Sequence, residues 1–391
     1  MYYLKHNNFH KFIIKIAINY YLGYKFFYMI KNNSNVVLVT HDLYRGGSQK
    51  VCVNLSNELS NTHNVDLIII GKDLSLLNEV SNRVNVIKFN SDRMSFSFFK
   101  LFKFFYKNKS KNVISFLNHV NLFCMLIKLF LNFNLIITIH NVIKPPSELK
   151  NYKQKIILFL SNFLFKKADH IISVADYVNN DLKKNFNIKP KRIYNPVIYK
   201  KIMNKKEYKN KKILNINNLK EKKYLLHIGT FDEQKNHMLL LDFFKLVSIK
   251  YNKKYKLVLL GDGHKRKEIE NKIKKLSLQK EVLLLGNVNN PAYFMKYAFC
   301  FVLTSKWEGL PMVIIEAMQF KKPIIASQCP GGIKEVLPHG KMGFYEKLDK
   351  DIFLKKLNQI VKSQKKIQDY GEILKKFSIE TQTDKYRNLL K

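Results

Sequence analysis

The feature that most constrains the fold is an alternation of short apolar runs with longer amphipathic stretches. The runs are rich in Val and Ile and apolar throughout, which is typical of parallel strands covered on both faces. Helical periodicity lies between them, for example in Leu149 through Lys167. Strands alternating with helices predict a doubly wound α/β sheet. The first six runs are Val36–Val39, Val65–Ile70, Val84–Phe89, Asn112–Leu117, Leu135–His140 and His170–Val174.

This alternation breaks once and then resumes. Residues 196–222 are rich in Lys and Asn, follow the turn-like Tyr194-Asn195-Pro196-Val197, and lack strand character. A second α/β series then begins at Lys223, with helices expected from His237, His264 and Pro311. Two similar α/β domains would place a ligand in the cleft between the carboxyl ends of their sheets. The predicted parts are an N-terminal extension (1–33), a first domain (34–195), a linker (196–222), a second domain (223–375) and a C-terminal helix (376–391).

The charge of the chain is unusual for its otherwise globular composition. Lys and Arg total 69 against 29 Asp and Glu, a formal net charge of +40, and only six of the basic residues are arginine. Base reading and bidentate phosphate clamps favour arginine. Because the lysines are spread along the whole chain, we interpret them as a compositional bias and expect no nucleic-acid partner. A basic surface of this kind would still attract anionic lipid headgroups.

The cysteines and the N-terminal extension indicate the cellular compartment in which the protein is expected. Cys52, Cys124, Cys300 and Cys329 are widely separated, which indicates free thiols in a reducing, cytoplasmic environment. The most apolar N-terminal stretch, 12–30, contains two lysines and is too polar for a membrane span. It also lacks a signal-peptide cleavage site. We expect either an interfacial segment or a natural start at Met29, which would leave residues 1–28 untranslated.

Two glycine motifs follow predicted strands. Arg45-Gly46-Gly47-Ser48 opens a helix, where free amides and the helix dipole favour a phosphate or a carboxylate. A tight strand-to-helix turn would explain these glycines equally well. Gly261-Asp262-Gly263 lacks the third glycine of a dinucleotide site, so a nicotinamide cofactor is not expected.

Asp349-Lys350-Asp351 has metal-binding spacing but is interpreted as a solvated helix start.

The most informative local pattern runs from Trp307 to Ala317. After a strand it places an acid (Glu308), then Gly309 and Leu310, then Pro311 at the expected start of a helix. Glu316 lies five residues beyond the proline, roughly 8 Å along the helix. Amides at the helix start would face an anion, and the two carboxylates could hold hydroxyls on either side of a diphosphate. A nucleotide sugar has that layout.

These residues resemble the retaining glycosyltransferases of the GT-B fold, in the large family 4 group that builds bacterial surface polysaccharides such as lipopolysaccharide or capsule. The similarity is strongest from Leu225 to Phe344. It includes Gly229 with Lys235-Asn236-His237, Gly261-Asp262-Gly263, Gly286-Asn287-Val288, the Glu308 to Glu316 segment, and Pro330-Gly331-Gly332 with Glu335. The resemblance implies two Rossmann-like domains facing each other across a cleft.

The resemblance also implies residue roles. Glu316 would bind the donor ribose, Glu308 the donor sugar and Lys235 the diphosphate, with Glu308 and Lys235 among the catalytic residues. A cleft histidine is expected at His119, with His140 as the competing candidate. The family needs no metal and no cofactor besides its nucleotide-sugar co-substrate, expected here to be UDP-linked. The implied donor-binding set is Gly46, Gly47, Gly229, Thr230, Lys235, Val288, Glu308, Gly309, Leu310, Pro311 and Glu316.

Two positions depart from the family pattern. Many members have an arginine beside Gly229 that pairs with the lysine on the diphosphate, whereas this chain has Thr230. A glycine that is usual between Met318 and Pro323 is also missing, and Lys321 and Lys322 occupy the turn. The first departure weakens the expected phosphate site. The second is expected to change only the surface of the protein.

The expected function is therefore transfer of a sugar, with retention of configuration, from a nucleotide sugar to a lipid-linked or glycan acceptor. The enzyme would be cytoplasmic and peripheral on the inner face of the plasma membrane. The aromatic and lysine-rich segment Phe96 to Tyr106 would dock the acceptor-side domain on anionic lipid, unless it is a buried core helix. Two alternatives remain open from the sequence: a nucleotide-sugar epimerase of the same fold, and a basic non-enzymatic nucleic-acid-binding protein.

Overall fold

The structure is a computed structural model that describes residues 36–91, 94–142, 152–198, 223–288, 291–337, 344–362 and 370–391. The predicted N-terminal extension and all of the predicted linker after residue 198 lie outside these ranges. Within them, the chain forms two parallel sheets with helices on both faces, which confirms the predicted two-domain α/β architecture.

The first sheet contains seven parallel strands in the order β3-β2-β1-β4-β5-β6-β7 within the described residues. Neighbours of β1 are β2 on one side and β4 on the other, so the strand order reverses between β1 and β4. The strands are β1 (Val36–Thr40), β2 (Val65–Ile69), β3 (Asn85–Lys88), β4 (Asn112–Phe116), β5 (Asn134–Ile139), β6 (His170–Ser173) and β7 (Lys191–Arg192). The helices are α1 (Gly47–Leu59), α2 (Met94–Lys107), α3 (Asn118–Lys128), α4 (Tyr152–Leu164) and α5 (Asp176–Phe186).

The second sheet contains six parallel strands in the order β10-β9-β8-β11-β12-β13 within the same ranges. Its strands are β8 (Tyr224–Ile228), β9 (Lys256–Leu260), β10 (Val282–Gly286), β11 (Cys300–Leu303), β12 (Ile324–Ser327) and β13 (Phe344–Glu346). Its helices are α6 (His237–Lys250), α7 (Arg266–Lys275), α8 (Ala292–Tyr297), α9 (Met312–Gln319), α10 (Ile333–Val336) and α11 (Lys350–Lys362). Two further helices follow, α12 (Gly371–Lys376) and α13 (Ile379–Arg387).

Central strands are buried on both faces, as their continuous apolar sequences predict. Every residue of β1, β2, β4 and β5 is buried. Val37 and Val39 point into one hydrophobic core, while Val36 and Leu38 point into another on the opposite face. The alternation follows from the two-residue period of a strand, and it fixes helices on both sides of the sheet.

The last helix returns to the first domain. The α13 helix packs against α1, and Tyr386 and Leu389 belong to the core on that face of the first sheet. Buried asparagines bind this end of the chain: the Asn134 Nδ2 donates to the Leu389 carbonyl (2.7 Å) and the Asn112 Nδ2 to the Lys391 carbonyl (2.9 Å). The predicted C-terminal helix therefore packs on the first domain, and its start is tied to the beginning of the linker by a hydrogen bond from the Val197 amide to the Phe377 carbonyl (2.9 Å).

Glycines in the second domain bring two loops into close contact. Gly261 has φ +135°, and a Cβ there would lie 2.0 Å from the Gly229 carbonyl oxygen. A Cβ on Gly263 would lie 2.5 Å from the Phe231 carbonyl oxygen. These glycines thus permit the loops after β8 and β9 to pack together, which explains them without a dinucleotide.

Candidate active site

A cavity of about 440 Å³ lies between the carboxyl ends of the two sheets. This is the place that the topology of facing parallel sheets predicts for a ligand. His140 and Asn195 from the first domain line it together with residues of the second. All of the predicted donor-binding residues line it: Gly46, Gly47, Gly229, Thr230, Lys235, Val288, Glu308, Gly309, Leu310, Pro311 and Glu316.

An ion pair lies at the centre of the second-domain wall. The Lys235 Nζ donates to the Glu308 Oε1 at 2.6 Å, and the Ser305 Oγ donates to the same oxygen at 2.6 Å. The Gln234 Nε2 is 3.4 Å from the other carboxylate oxygen. Glu308 is only 4% exposed, so these donors compensate for the removal of its charge from water.

The loops that follow two neighbouring strands fix the positions of Lys235 and Glu308. After β8, the Lys235 amide donates to the Asp232 Oδ1 (3.1 Å). After β11, the Thr304 hydroxyl donates to the Lys235 carbonyl (3.1 Å). Because β8 and β11 are neighbours in the sheet, the loops that follow them emerge side by side. Lys235 and Glu308 therefore meet although the sequence separates them by 73 residues.

The start of α9 is packed against a glycine loop that follows β12. The Glu308 amide donates to the Pro330 carbonyl (2.8 Å), and the Gly332 amide donates to the Gly309 carbonyl (2.7 Å). Gly331 has φ +126°, and a Cβ there would lie 1.8 Å from the Glu308 carbonyl oxygen. The loop thus supports the backbone of Glu308 and Gly309 at the cavity wall.

Glu316 lies one turn into α9 and lines the same cavity. It is 9% exposed in a helix whose neighbouring residues Ile314, Ile315, Ala317 and Met318 are buried. Glu308, before the start of α9, and Glu316, within it, are therefore both buried carboxylates that line the cavity.

The first domain contributes the turn between β1 and α1. Gly46 and Gly47 line the cavity, and α1 begins at Gly47. Arg45 crosses the cleft: one guanidinium nitrogen donates to the Val288 carbonyl (3.3 Å) and another to the Ser75 carbonyl (3.1 Å). Arg45 was absent from the predicted donor-binding set. Two features of the sequence could have identified it: arginine is rare among the basic residues of this chain, and Arg45 stands beside two glycines.

The two candidate histidines have different positions. His140, just after β5, lines the cavity, stacks on Phe116 (5.4 Å) and has its Nε2 2.9 Å from the Thr138 Oγ1. His119 lies in the first turn of α3 with its ring 4.9 Å from that of His41, and it is not among the residues that line this cavity. Burial lowers the pKa of each ring to about 4, so both are neutral near pH 7. The geometry favours His140, and a catalytic role for His119 remains a prediction.

Contacts across the cleft join the domains next to the site. The Glu335 carboxylate accepts hydrogen bonds from the Asp176 and Tyr177 amides (2.9 and 3.1 Å), the first two of α5. A Cβ on Gly309 would lie 1.8 Å from the His140 carbonyl oxygen. The second domain thus supports a helix of the first, and only a glycine permits the approach at residue 309.

The structure gives the metal-like Asp motif a structural role. Asp349 Oδ1 accepts a hydrogen bond from the Ile352 amide (2.8 Å) at the start of α11, as expected for a solvated helix start. Within the described ranges, no group of three or more His, Cys, Asp or Glu side chains is arranged to hold a metal ion. Among these residues there is also no helix both long and apolar enough to cross a bilayer.

Sequence families match each half of the chain separately. Residues 45–199 match the profile described as Glycosyltransferase Family 4, and residues 209–377 match Glycosyl transferases group 1. The chain belongs to the group 1, family 4 glycosyltransferases. The resemblance stated from the motifs is therefore confirmed, and glycosyl transfer is the activity of this class of enzyme.

Individual proteins agree with this assignment. An uncharacterized glycosyltransferase of Methanocaldococcus jannaschii is 35% identical over 197 residues, about half of each chain (48% and 48%). The N-acetylgalactosamine-N,N'-diacetylbacillosaminyl-diphospho-undecaprenol 4-alpha-N-acetylgalactosaminyltransferase of Campylobacter jejuni is 28% identical over 325 residues, covering 80% of this chain and 85% of that enzyme. Anabaena HepE, solved in complex with UDP and glucose, has a TM-score of 0.75 at 16% identity, covering 91% of this chain and 99% of its own. The structural likeness shows that the fold is GT-B.

Proposed function

We propose that this glycosyltransferase moves a sugar, with retention of configuration and without a metal, from a UDP-sugar to a lipid-linked or glycan acceptor. The observation on which the proposal rests is the group formed by Lys235, Glu308 and the start of α9, with Glu316 buried on the same helix. It offers an ammonium and main-chain amides for a diphosphate, and a carboxylate on each side for the hydroxyls of a sugar and a ribose.

Several observations support the donor class. Val288, Glu308 and Glu316 line one cavity together with His140, and Gly309 beside Glu308 packs against the His140 carbonyl of the first domain. HepE was solved with UDP and with glucose, and the Campylobacter relative is named for transfer to a diphospho-undecaprenol glycan. These names favour a UDP-sugar and a lipid-linked acceptor for this chain, in surface polysaccharide synthesis.

In the proposed reaction, the bond between the anomeric carbon and the diphosphate oxygen breaks. The acceptor hydroxyl oxygen bonds to the same face of that carbon, and its proton passes to the departing diphosphate. Lys235 and the amides of Gly309 and Leu310 stabilise the negative charge that develops on the leaving group. A diphosphate would compete with Glu308 for the ammonium, which would free the carboxylate to bind sugar hydroxyls. Neutral His140 can then accept or donate a hydrogen bond at the acceptor side.

A lipid-linked acceptor would require the enzyme to act at a membrane surface. We infer that the enzyme is cytoplasmic and works at the inner face of the plasma membrane, bound peripherally to anionic lipid. The net charge of +40 supports this attraction, since each lysine near an anionic surface adds about 1 kcal/mol.

The deciding experiment incubates purified protein with a panel of nucleotide sugars, with and without lipid-linked acceptors, and measures nucleoside diphosphate release. We expect one UDP-sugar to be consumed only when acceptor is present, and activity to persist in excess chelator. The chelated reaction is repeated after Mg²⁺ is added back, as a control for the buffer.

Three other outcomes would contradict parts of the proposal. Donor rearrangement or hydrolysis without acceptor would favour an epimerase. Activity lost in chelator and restored by Mg²⁺ or Mn²⁺ would overturn metal independence. Salt-sensitive nucleic-acid binding with no nucleotide-sugar affinity would favour the nucleic-acid-binding alternative.

A further inference from the structure

Exposed large hydrophobic side chains are concentrated on three neighbouring helices of the first domain. On α4 and just after α3 the most exposed are Phe163 (78%), Tyr152 (76%), Phe159 (75%) and Phe130 (72%). On α2 they are Phe96, Phe99 and Tyr106. We call this set the aromatic face; its members are Phe96, Phe99, Tyr106, Leu129, Phe130, Tyr152, Ile156, Phe159, Leu160 and Phe163.

The members of the aromatic face share one side of each helix. Positions 152, 156, 159, 160 and 163 of α4 recur at intervals of three and four, which places them on one stripe. Positions 96, 99 and 106 form a similar stripe on α2. Such a stripe normally faces a core, but here its side chains are exposed.

Opposite sides of these helices already supply the core. On α2, Leu101, Phe104 and Phe105 are buried against the sheet. The segment Phe96 to Tyr106 therefore supplies core residues on one side, as the core-helix alternative expected, and exposed rings on the other, while its docking on lipid remains a prediction. Its link to α3 is aromatic, with Phe102 and Phe130 in edge contact (6.3 Å). Phe99 and Phe130 nevertheless remain 64% and 72% exposed, so most of their surface takes no part in the packing of the domain.

The charge around the aromatic face is predominantly positive. Between residues 94 and 167 the sequence contains twelve lysines and a single acidic residue, Glu148. Lys128 is paired with Asp169 just beyond this range (2.6 Å), while Lys166 and Lys167, just after α4, are exposed. A second copy of this face would bring lysines against lysines, and the N-terminal residues 1–35 also contain lysines and no acid. Both would be repelled.

We propose that the aromatic face is the surface by which the enzyme docks on an anionic lipid bilayer. Exposed Phe and Tyr rings among lysines are the composition that binds a membrane interface, with the rings at headgroup depth and the ammonium groups on lipid phosphates. Since α4 follows β5, whose carboxyl end leads to His140, the face begins on the cleft side of the domain. The inference deepens the proposed function and rests on it for the lipid-linked acceptor.

The test measures co-flotation with vesicles rich in phosphatidylglycerol and with vesicles of phosphatidylcholine alone, at low and high salt. We expect wild-type protein to bind the anionic vesicles at low salt and to dissociate from them as the salt concentration rises. The variant Phe130→Ser/Phe159→Ser/Phe163→Ser should reduce this binding about tenfold or more. Lys166→Glu/Lys167→Glu should reduce it as well and flatten its salt dependence.

Matched controls come from the second domain. Ile249→Ser removes a similarly exposed hydrophobic side chain (66%) from α6, and Lys253→Glu/Lys254→Glu changes two exposed lysines near its end. Both should bind anionic vesicles as wild type does. Quenching of tryptophan fluorescence by brominated lipids measures the contact directly. After the signal of Trp307 is subtracted, the fluorescence of the Phe163→Trp variant should be quenched and that of the Ile249→Trp variant should not.

Other outcomes overturn the inference in distinguishable ways. Wild-type protein that ignores anionic vesicles, or a triple variant that binds like wild type, removes the docking role. If the triple variant instead changes the mass in solution from dimer to monomer, the occupant is a second copy. If Phe26→Ser/Phe27→Ser abolishes vesicle binding while the triple variant does not, the N-terminal segment is the membrane element. UDP binding and UDP release are measured in parallel, so that loss of the proposed function is seen separately from loss of docking.

Discussion

At the scale of single residues, the site depends on buried charge with compensating partners. Glu308 is held by Lys235 and Ser305, and each would be costly to bury alone. The missing arginine beside Gly229 is relevant here, because Thr230 brings no charge to the cavity wall. Arg45 enters the same cavity from the other domain, so a guanidinium is present at the site although it comes from a different loop.

Glu316→Ala tests the ribose assignment. Removing a buried carboxylate would leave donor hydroxyls unpaired, and we expect kcat/KM to fall by about two orders of magnitude, roughly 3 kcal/mol. Steady-state kinetics and UDP affinity measure the effect, and circular dichroism checks the fold. Glu372→Ala, at an exposed site on α12, is the matched control. A folded Glu316→Ala variant with wild-type donor affinity and turnover would refute the assignment.

Gly309→Ala tests the close approach of the domains. The new methyl group would lie 1.8 Å from the His140 carbonyl oxygen, so the loop or the cleft must open. We expect a loss of about 2 kcal/mol in the free energy of unfolding and a larger radius of gyration. Urea denaturation and small-angle scattering provide the readings. Gly47→Ala, where a Cβ meets nothing within 4 Å, should leave stability unchanged or raise it; equal behaviour of the two variants would contradict the argument.

At the scale of elements, the second domain caps a helix of the first. The α5 helix begins without a side-chain cap of its own, and the Glu335 carboxylate accepts from its first two amides. An anion at a helix start also interacts favourably with the helix dipole. The α10 helix that contains Glu335 follows the glycine loop under Glu308, so one short segment supports both the cavity wall and the facing domain.

Glu335→Ala should therefore weaken the contact between the domains. The two amides lose their acceptor, and we expect the free energy of unfolding to fall by about 1 kcal/mol. Hydrogen exchange at the Asp176 and Tyr177 amides should accelerate, which localises the effect to α5. Glu335→Gln retains one acceptor oxygen and should fall between wild type and Glu335→Ala. Unchanged exchange at these two amides would show that the cap does not form in solution.

At the scale of the whole molecule, buried neutral histidines link stability to pH. Burial lowers the pKa of His140 and His227 to about 4 and that of His237 to about 2, from the ordinary 6.5. An unfolded chain takes up these protons first, so it binds more protons than the native state below about pH 6.5. The stability that these rings provide is complete above that pH and is lost as the pH falls towards 4.

We expect the free energy of unfolding to decrease on acidification, by about 1.4 kcal/mol per pH unit for each such histidine. Urea denaturation at a series of pH values from neutral to mildly acidic measures the slope. His237→Phe should make the slope shallower by one proton, because neither ring nitrogen of His237 has a hydrogen-bond partner among the described residues and the ring packs against Phe231. A slope that is the same in this variant would contradict the assignment.

Local sequence was sufficient for most of the elements. Short runs that are apolar throughout predicted the buried strands, and β9 has the predicted bounds, Lys256–Leu260. The α6 helix begins at His237 as expected, while the helix expected from His264 begins at Arg266 and the one from Pro311 at Met312. The two glutamates were also predictable, because their spacing lies within a single strand-loop-helix unit. In each case the deciding interactions are between residues close in the chain.

The tertiary structure decided what depends on distant residues. Lys235 meets Glu308 across 73 residues, Arg45 reaches Val288 across 243, and Glu335 caps α5 across 159. The choice of His140 over His119 as the residue that lines the cavity, and the return of α13 to the first sheet, likewise follow from which loops and faces are brought together. Exposure of the aromatic face belongs here too, since a stripe of phenylalanines has the same periodicity whether it faces a core or the solvent. Burial and long-range pairing depend on the whole fold, and a local pattern does not contain them.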